Sequence, residues 1–209
     1  MRSSFRLPQV YPITDTQISR LSHADQVALF AERGATVVQL REKRESALQF
    51  YKAAKAALAI AVERGVQLII NDRVDIAMAV GATGVHLGQD DLPPDVARRL
   101  LGEDAVIGFS THSVSQALEV SGLPIDYLAI GPIFATSTKE NPDPVVSLDG
   151  LRAVKAAIGS LPLVAIGGIT TANAPDVFGA GADSVALISG LWSRPQVLSS
   201  AFRLRASTS

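Results

Sequence analysis

Residues 69–91 read IINDRVDIAMAVGATGVHLGQDD. The stretch opens on a short apolar run ending in Asn71-Asp72 and continues as a helix-period segment bracketed by Arg73 and Gly81. It closes on a second short run, GVHLG, leading into Gln89-Asp90-Asp91. A strand–helix–strand unit this compact implies a parallel pair joined by a right-handed crossover. The two strand ends then lie side by side on one rim, where Asp72 and Asp91 can converge. Two carboxylates on adjacent strand ends suit a hard cation. Magnesium fits best, because it keeps much of its water and asks for few protein oxygens. The competing reading gives each aspartate a helix, with Asp72 capping the next one and Asp91 opening the one after it.

The same alternation extends in both directions. Apolar strand-like runs fall at 10–14, 36–41, 67–71, 84–87, 106–110, 127–131, 163–166 and 184–188. Helical patterns lie between them. The segment 24–33 stops at Gly34, and the alanine- and lysine-rich 47–64 stops at Gly65. The segment 94–101 has proline in its first turn and Gly102 beyond its end, the expected asymmetry. Further helices are expected at 115–120, 148–158 and 174–178, with 196–204 closing the chain and 206–209 frayed. Strands alternating with helices argue for a parallel sheet, and eight such units make a closed (β/α)8 TIM barrel the leading architecture. An open doubly wound sheet is the runner-up. No linker or low-complexity tract interrupts the pattern, so residues 1–209 are expected to form one α/β domain.

Composition narrows the function classes. The chain is 47% hydrophobic with a net charge of -1, and no basic patch or acidic tail marks it for nucleic acid or a membrane. Cysteine is absent, which excludes a disulfide frame, a thiolate zinc site and a catalytic thiol. The first residues, MRSSFRLPQVYPITD, lack the apolar core of a signal peptide, so a cytoplasmic location is expected. Only His23, His86 and His112 are present, and metal chemistry must lean on carboxylates.

In a barrel, chemistry belongs at the carboxyl ends of the strands. Those ends supply Thr14 and Asp15, then Arg41, Glu42 and Lys43, then Asn71-Asp72 and Asp91. Strand 5 adds Ser110, Thr111 and His112. Strand 6 leads into the long loop 134–146, which carries Thr136, Ser137, Thr138 and Lys139. The seventh and eighth strands end in Gly167-Gly168 and Ser189-Gly190. The opposite rim offers little beyond turn residues. Paired glycines after strand 7, followed by a serine and glycine after strand 8, match the recurrent phosphate cradle of this architecture. A tight turn that needs glycine for backbone geometry is the plainer reading. Arg41 and Lys43 stand two apart, so both side chains can point the same way. Beside a cation-binding carboxylate pair, they suggest a polyphosphate gripped from two sides. The loop carrying Lys139 is long and rich in hydroxyls, as a lid would be. The rim thus suits two anionic ends, a metal-bound pyrophosphate and a monophosphate.

The motifs YPITD (11–15), QLREK (39–43), IINDRVDIA (69–77), GVHLGQDDLP (84–93), IGFSTHS (107–113), DYLAIGPIFATSTK (126–139), AIGGIT (165–170) and AGADSVALIS (180–189) occur in this order. In sequence and spacing the chain resembles the thiamine phosphate synthase family over nearly its whole length. The resemblance implies a barrel enzyme that joins hydroxymethylpyrimidine pyrophosphate to a thiazole phosphate or its carboxylate, releasing pyrophosphate. It implies magnesium on Asp72 and Asp91. Gln39, Arg41, Glu42, Lys43, Asn71, Ser110 and Lys139 would contact the pyrimidine substrate, with Arg41, Lys43, Ser110 and Lys139 serving the chemistry. Thr136, Thr138, Gly168, Ile188 and Ser189 would hold the thiazole phosphate. Small molecules are the expected partners, with self-association into a homo-oligomer left open. A related thiazole tautomerase uses a histidine at a position like His112, which makes an isomerase the alternative. The tautomerase-like proteins tend to lose the NDR and GQDD residues, both intact here. Ser147 occupies a position the family usually gives to glycine; it should begin or cap the next helix with little effect on chemistry.

Overall fold

The structure, a computed structural model, describes residues 5–136, 143–192 and 201–202. The strands are β1 (Val10–Pro12), β2 (Val37–Leu40), β3 (Gln67–Asn71), β4 (Gly84–Leu87), β5 (Val106–Thr111), β6 (Tyr127–Ile130), β7 (Leu163–Ala165) and β8 (Ser184–Leu187). All pair in parallel in the order β1-β8-β7-β6-β5-β4-β3-β2. A parallel bridge between Ile13 and Gln39 joins β1 to β2, and the Thr14 N–H donates to the Gln39 carbonyl at 2.9 Å. That contact closes the sheet into a barrel and disposes of the open-sheet alternative.

The helices are α1 (Thr16–Ser19), α2 (His23–Glu32), α3 (Ala47–Arg64), α4 (Val74–Val80), α5 (Pro94–Leu101), α6 (Val114–Val120), α7 (Ser147–Ile158) and α8 (Ala174–Gly179). Their ends follow local chemistry. The Ser46 hydroxyl accepts from the Gln49 N–H to start α3, and Gly65 ends it at φ 67°. In α5, Pro94 fills the first turn, where its missing N–H is not needed, and Gly102 follows the last turn. α3, α5, β3 and β4 match the expected bounds, and the bounds of the other strands differ by one or two residues. The short α1 was not expected. It forms because the Asp15 carboxylate accepts from both Gln17 and Ile18 N–H groups at 2.9 Å. The expected helix 196–204 lies almost wholly outside the described residues, as do 206–209.

Successive side chains on each strand alternate between two packed layers. Outward residues such as Val38, Leu40, Leu68, Ile70, Leu128 and Leu163 meet the helices in the main core. Inward residues, among them Tyr11, Val37, Ile69, Val106, Tyr127 and Val164, fill the barrel itself. Moving up the inside toward the carboxyl ends, β2 passes from Val37 to Gln39 and β3 from Ile69 to Asn71, while β5 passes from Val106 through Gly108 to Ser110. The barrel therefore changes from apolar to polar just below its mouth. Among the described residues, no helix is long and apolar enough to cross a membrane.

Candidate active site

The polar layer forms the floor of a cavity of about 570 Å³ at the carboxyl mouth. The Gln39 amide donates to the Tyr11 hydroxyl at 3.4 Å, which meets the Tyr127 hydroxyl at 3.0 Å. The Tyr127 hydroxyl lies 2.9 Å from His86 Nδ1, and His86 Nε2 lies 2.8 Å from the Ser110 hydroxyl. Burial pushes the His86 pKa down to about 4, so its ring is neutral at pH 7 with both nitrogens engaged. Burial likewise raises the pKa values of Tyr11 and Tyr127, which stay protonated. Glycine makes room for this network: a Cβ at Gly108 would fall 2.1 Å from the Tyr127 ring and 2.5 Å from His86 Nδ1. Tyr11, His86 and Tyr127 were not singled out from the sequence as site residues. The period-two alternation of GVHLG, which puts His86 on the same side as Gly84 and Gly88, was the available signal for His86.

Asp72 and Asp91 meet on this rim. Asp72 follows the last residue of β3, its N–H donating to the His86 carbonyl at 2.8 Å, and it holds a positive φ of 61°. That conformation is unfavourable for a side chain with a Cβ, and strain of this kind gathers at functional sites. The Lys43 ammonium pairs with the Asp72 carboxylate. Asp91 Oδ2 accepts the Gly88 N–H at 2.6 Å. Neither carboxylate caps a helix: the residue before α4 is Arg73, the residue before α5 is Pro93, and neither start has a side-chain cap. Removal from water raises the Asp91 pKa, and the Asp72 carboxyl group, within hydrogen-bonding contact, raises it further. Two carboxylates this close need a cation between them or a shared proton. Nearby, the buried Asn71 Nδ2 has no hydrogen-bond partner among the described residues. A donor set of two oxygens with an unspent amide beside it fits an ion that keeps water and takes the rest of its ligands from a substrate.

Arg41 and Lys43 line the same cavity, as do Gln39, Asn71 and Ser110. Across it stand Thr136, Gly168, Ile188 and Ser189. The paired glycines have a steric reason of their own. A Cβ at Gly167 would lie 2.5 Å from the Pro132 Cα, and one at Gly168 would lie 2.7 Å from the Ala135 carbonyl. Close passage of the chain after β6 thus fixes both positions, and it leaves backbone rather than side chains along that wall. His112 also lines the cavity; its Nδ1 meets the Gly131 carbonyl at 2.6 Å, with Asp143 at 3.5 Å.

Glu42 is placed differently. It does not line the cavity with Arg41 and Lys43, because alternation turns the middle residue the other way. Its carboxylate instead faces His23 and the backbone of Arg44 and Glu45. Ser137, Thr138 and Lys139 lie outside the described residues, along with most of the expected lid.

Known proteins resemble this chain in sequence and fold. A family described as "Thiamine monophosphate synthase" matches residues 10–191. A thiamine-phosphate synthase from Chloroflexus aurantiacus is 46% identical over 199 residues, covering 95% of this chain and 91% of that one. Another, from Koribacter versatilis, is 44% identical and covers 97% of each chain. The solved thiamine phosphate pyrophosphorylase from Pyrococcus furiosus superposes with a TM-score of 0.79 at 34% identity, covering 90% of this chain and 89% of that one. A match across nearly the whole barrel, at this identity, settles the lineage: the chain belongs to the thiamine monophosphate synthase family.

Proposed function

We propose that this chain couples hydroxymethylpyrimidine pyrophosphate to a thiazole phosphate, forming thiamine phosphate and releasing pyrophosphate by a dissociative, magnesium-dependent route. The observation that carries this reading is the approach of Asp72 to Asp91, with Lys43 paired to Asp72 and Arg41 lining the same cavity. Asp72 and Asp91 would hold magnesium, which supplies countercharge to the departing diphosphate. Arg41 and Lys43 add positive charge to the same group, and Asn71 Nδ2 offers a donor with no protein partner to lose. The Ser110 hydroxyl, held by His86 Nε2 at 2.8 Å, would orient the pyrimidine.

The bond changes need no base. The carbon–oxygen bond breaks with both electrons leaving on the diphosphate, and the thiazole nitrogen then gives its lone pair to the pyrimidine methylene carbon. No proton is transferred in either step. A neutral His86 with both nitrogens bonded suits that chemistry, since it has no proton-carrying role to fill. The glycine wall near Gly168, with Ser189 and Thr136, would hold the thiazole phosphate away from the diphosphate. Two substrates filling the cavity of about 570 Å³ would displace water from it, which would protect a carbon electrophile from hydrolysis.

The test is direct. Purified chain, both substrates and magnesium should yield one pyrophosphate per thiamine phosphate, with no turnover after chelation. Turnover undiminished by chelation removes the metal, and no product at any magnesium level removes the synthase. The second reading, a thiazole isomerase, rests on His112 lining the cavity. It requires proton exchange into the thiazole without any pyrimidine substrate, abolished in His112→Ala.

A further inference from the structure

The outer side of the turn after β2 holds a second polar cluster that the proposed chemistry does not use. His23, the first residue of α2, is 4% exposed and does not line the cavity. Its Nδ1 lies 2.8 Å from the Thr14 hydroxyl, and its Nε2 lies 3.4 Å from Glu42 Oε2. The Thr14 oxygen already accepts the Arg41 N–H at 3.2 Å. Its own proton is therefore free to go to Nδ1, which leaves the neutral ring's proton on Nε2, pointing at a carboxylate that can only accept. Glu42 Oε1 in turn accepts the Arg44 and Glu45 N–H groups at 2.7 and 3.3 Å. Asp15 Oδ2 stands 4.0 Å from the Arg41 guanidinium, and the buried Gln26 accepts the Asp15 N–H at 3.0 Å. The turn 41–45 is thus tied from behind to the loop after β1, while Arg41 and Lys43 emerge from its other side into the cavity.

Long cationic side chains lose much rotamer freedom when they must hold one geometry, so their backbone has to be fixed first. We propose that His23 is a positioning residue: bridging Thr14 and Glu42, it locks the 41–45 turn and so sets where Arg41 and Lys43 meet the diphosphate. The proposal rests on the reading of Arg41 and Lys43 as the diphosphate grip.

The test uses the full-length chain and inorganic pyrophosphate with magnesium as the probe, alongside the coupling assay. His23→Leu removes both ring hydrogen bonds at similar volume. It should weaken pyrophosphate binding and raise KM for the pyrimidine substrate roughly tenfold, the lower range for partners behind a ligand-binding group. KM for the thiazole phosphate should not move, because its wall lies across the cavity. His23→Gln, which can still donate to Glu42, should recover most of the loss. Where His23→Leu does not fold, Thr14→Val breaks the same bridge from its other end and should give the same selective loss. A purely structural histidine would lower Tm and leave the two KM values in their wild-type ratio. That outcome, or variants that bind pyrophosphate like the wild-type chain, overturns the proposal. A wild-type chain that binds pyrophosphate but forms no thiamine phosphate sinks the synthase reading and leaves His23 testable by binding. A wild-type chain that binds no pyrophosphate sinks both.

Discussion

The two ends of the barrel use the same residue types to opposite ends. At the base, Asp126 accepts the Ile107 N–H at 2.8 Å and pairs with Arg98 at 2.8 Å. Asp183 does the same with the Leu163 N–H and Lys155, at 2.8 and 2.7 Å. Each carboxylate there closes a strand and is neutralised by its own cation, while Phe5 stacks on Tyr127 beneath the inner core. At the mouth, Asp72 and Asp91 are set against each other, Asp72 sits in a strained backbone, and an amide is left without a partner. One end satisfies its charges within the protein. At the other, Lys43 pairs with Asp72, but Asp91 meets a second carboxyl group with only the Gly88 N–H to offset it, an arrangement that leaves negative charge over.

Asp91→Asn tests that contrast most severely, because activity and stability should move in opposite directions. Losing an electrostatic contact to a departing charge costs about 3–4 kcal/mol, hundreds-fold in kcat. The fold should not suffer, since asparagine can still accept the Gly88 N–H. The sign follows from linkage. Folding raises the Asp91 pKa, chiefly by desolvation and then by Asp72, so the folded state binds its proton more tightly than the unfolded chain does. The ionised group therefore weighs against folding once pH has risen through that raised value, and not below the ordinary carboxylate range. Without metal, Tm of Asp91→Asn should exceed wild type at pH 7 and converge with it in acid. A Tm that falls at pH 7 would show that Asp91 supports the fold as Asp126 does.

The base predicts the reverse. A Cβ at Gly84 would stand 1.9 Å from the Val106 carbonyl oxygen, inside a strand pair that cannot spread without breaking the barrel. Gly84→Ala should destabilise the protein by about 1–3 kcal/mol, the usual scale of overpacking. Urea unfolding would show it as a lower midpoint. Turnover per folded molecule should hold at low temperature, and a kcat loss with unchanged stability would mean that the base communicates with the chemistry.

How much of this could be read in advance depended on how local the cause was. Strands and helices were legible because apolar period and glycine stops are written in consecutive residues. Asp72 and Asp91 were legible because a single crossover places them side by side. Glu42, expected beside Arg41 and Lys43, stands outside the cavity lining and faces His23, because the alternation that sends Arg41 and Lys43 inward sends Glu42 out. The floor network was harder. Tyr11 and Tyr127 are 116 residues apart and meet only because the barrel closes. His23 left no signal, since its partners Thr14 and Glu42 come from two other loops. The sequence was silent where side chains from distant strands share one hydrogen bond.

A finer test separates strain that serves the site from strain that does not. Among the described residues Arg20, Asp72 and Ser147 are the non-glycines with positive φ. Ser147 opens α7 at φ 66°, exposed, with its hydroxyl 3.4 Å from the Gly150 N–H and outside the cavity lining. Removing its Cβ relieves about 1–2 kcal/mol of left-handed strain. Glycine gives back roughly half of that through the greater freedom of the unfolded chain. The weak hydrogen bond to Gly150 goes too, so Ser147→Gly should gain about 0.5 kcal/mol, a Tm rise of about 1–2 °C for a chain of this size. Turnover should not change. Asp72→Gly relieves the same backbone strain and should abolish activity, because there the strained residue carries the carboxylate. If Ser147→Gly instead slowed turnover, the strain at the start of α7 would have to be counted with the mouth, and the boundary between working and idle strain would move outward from Asp72 to the end of the long loop after β6.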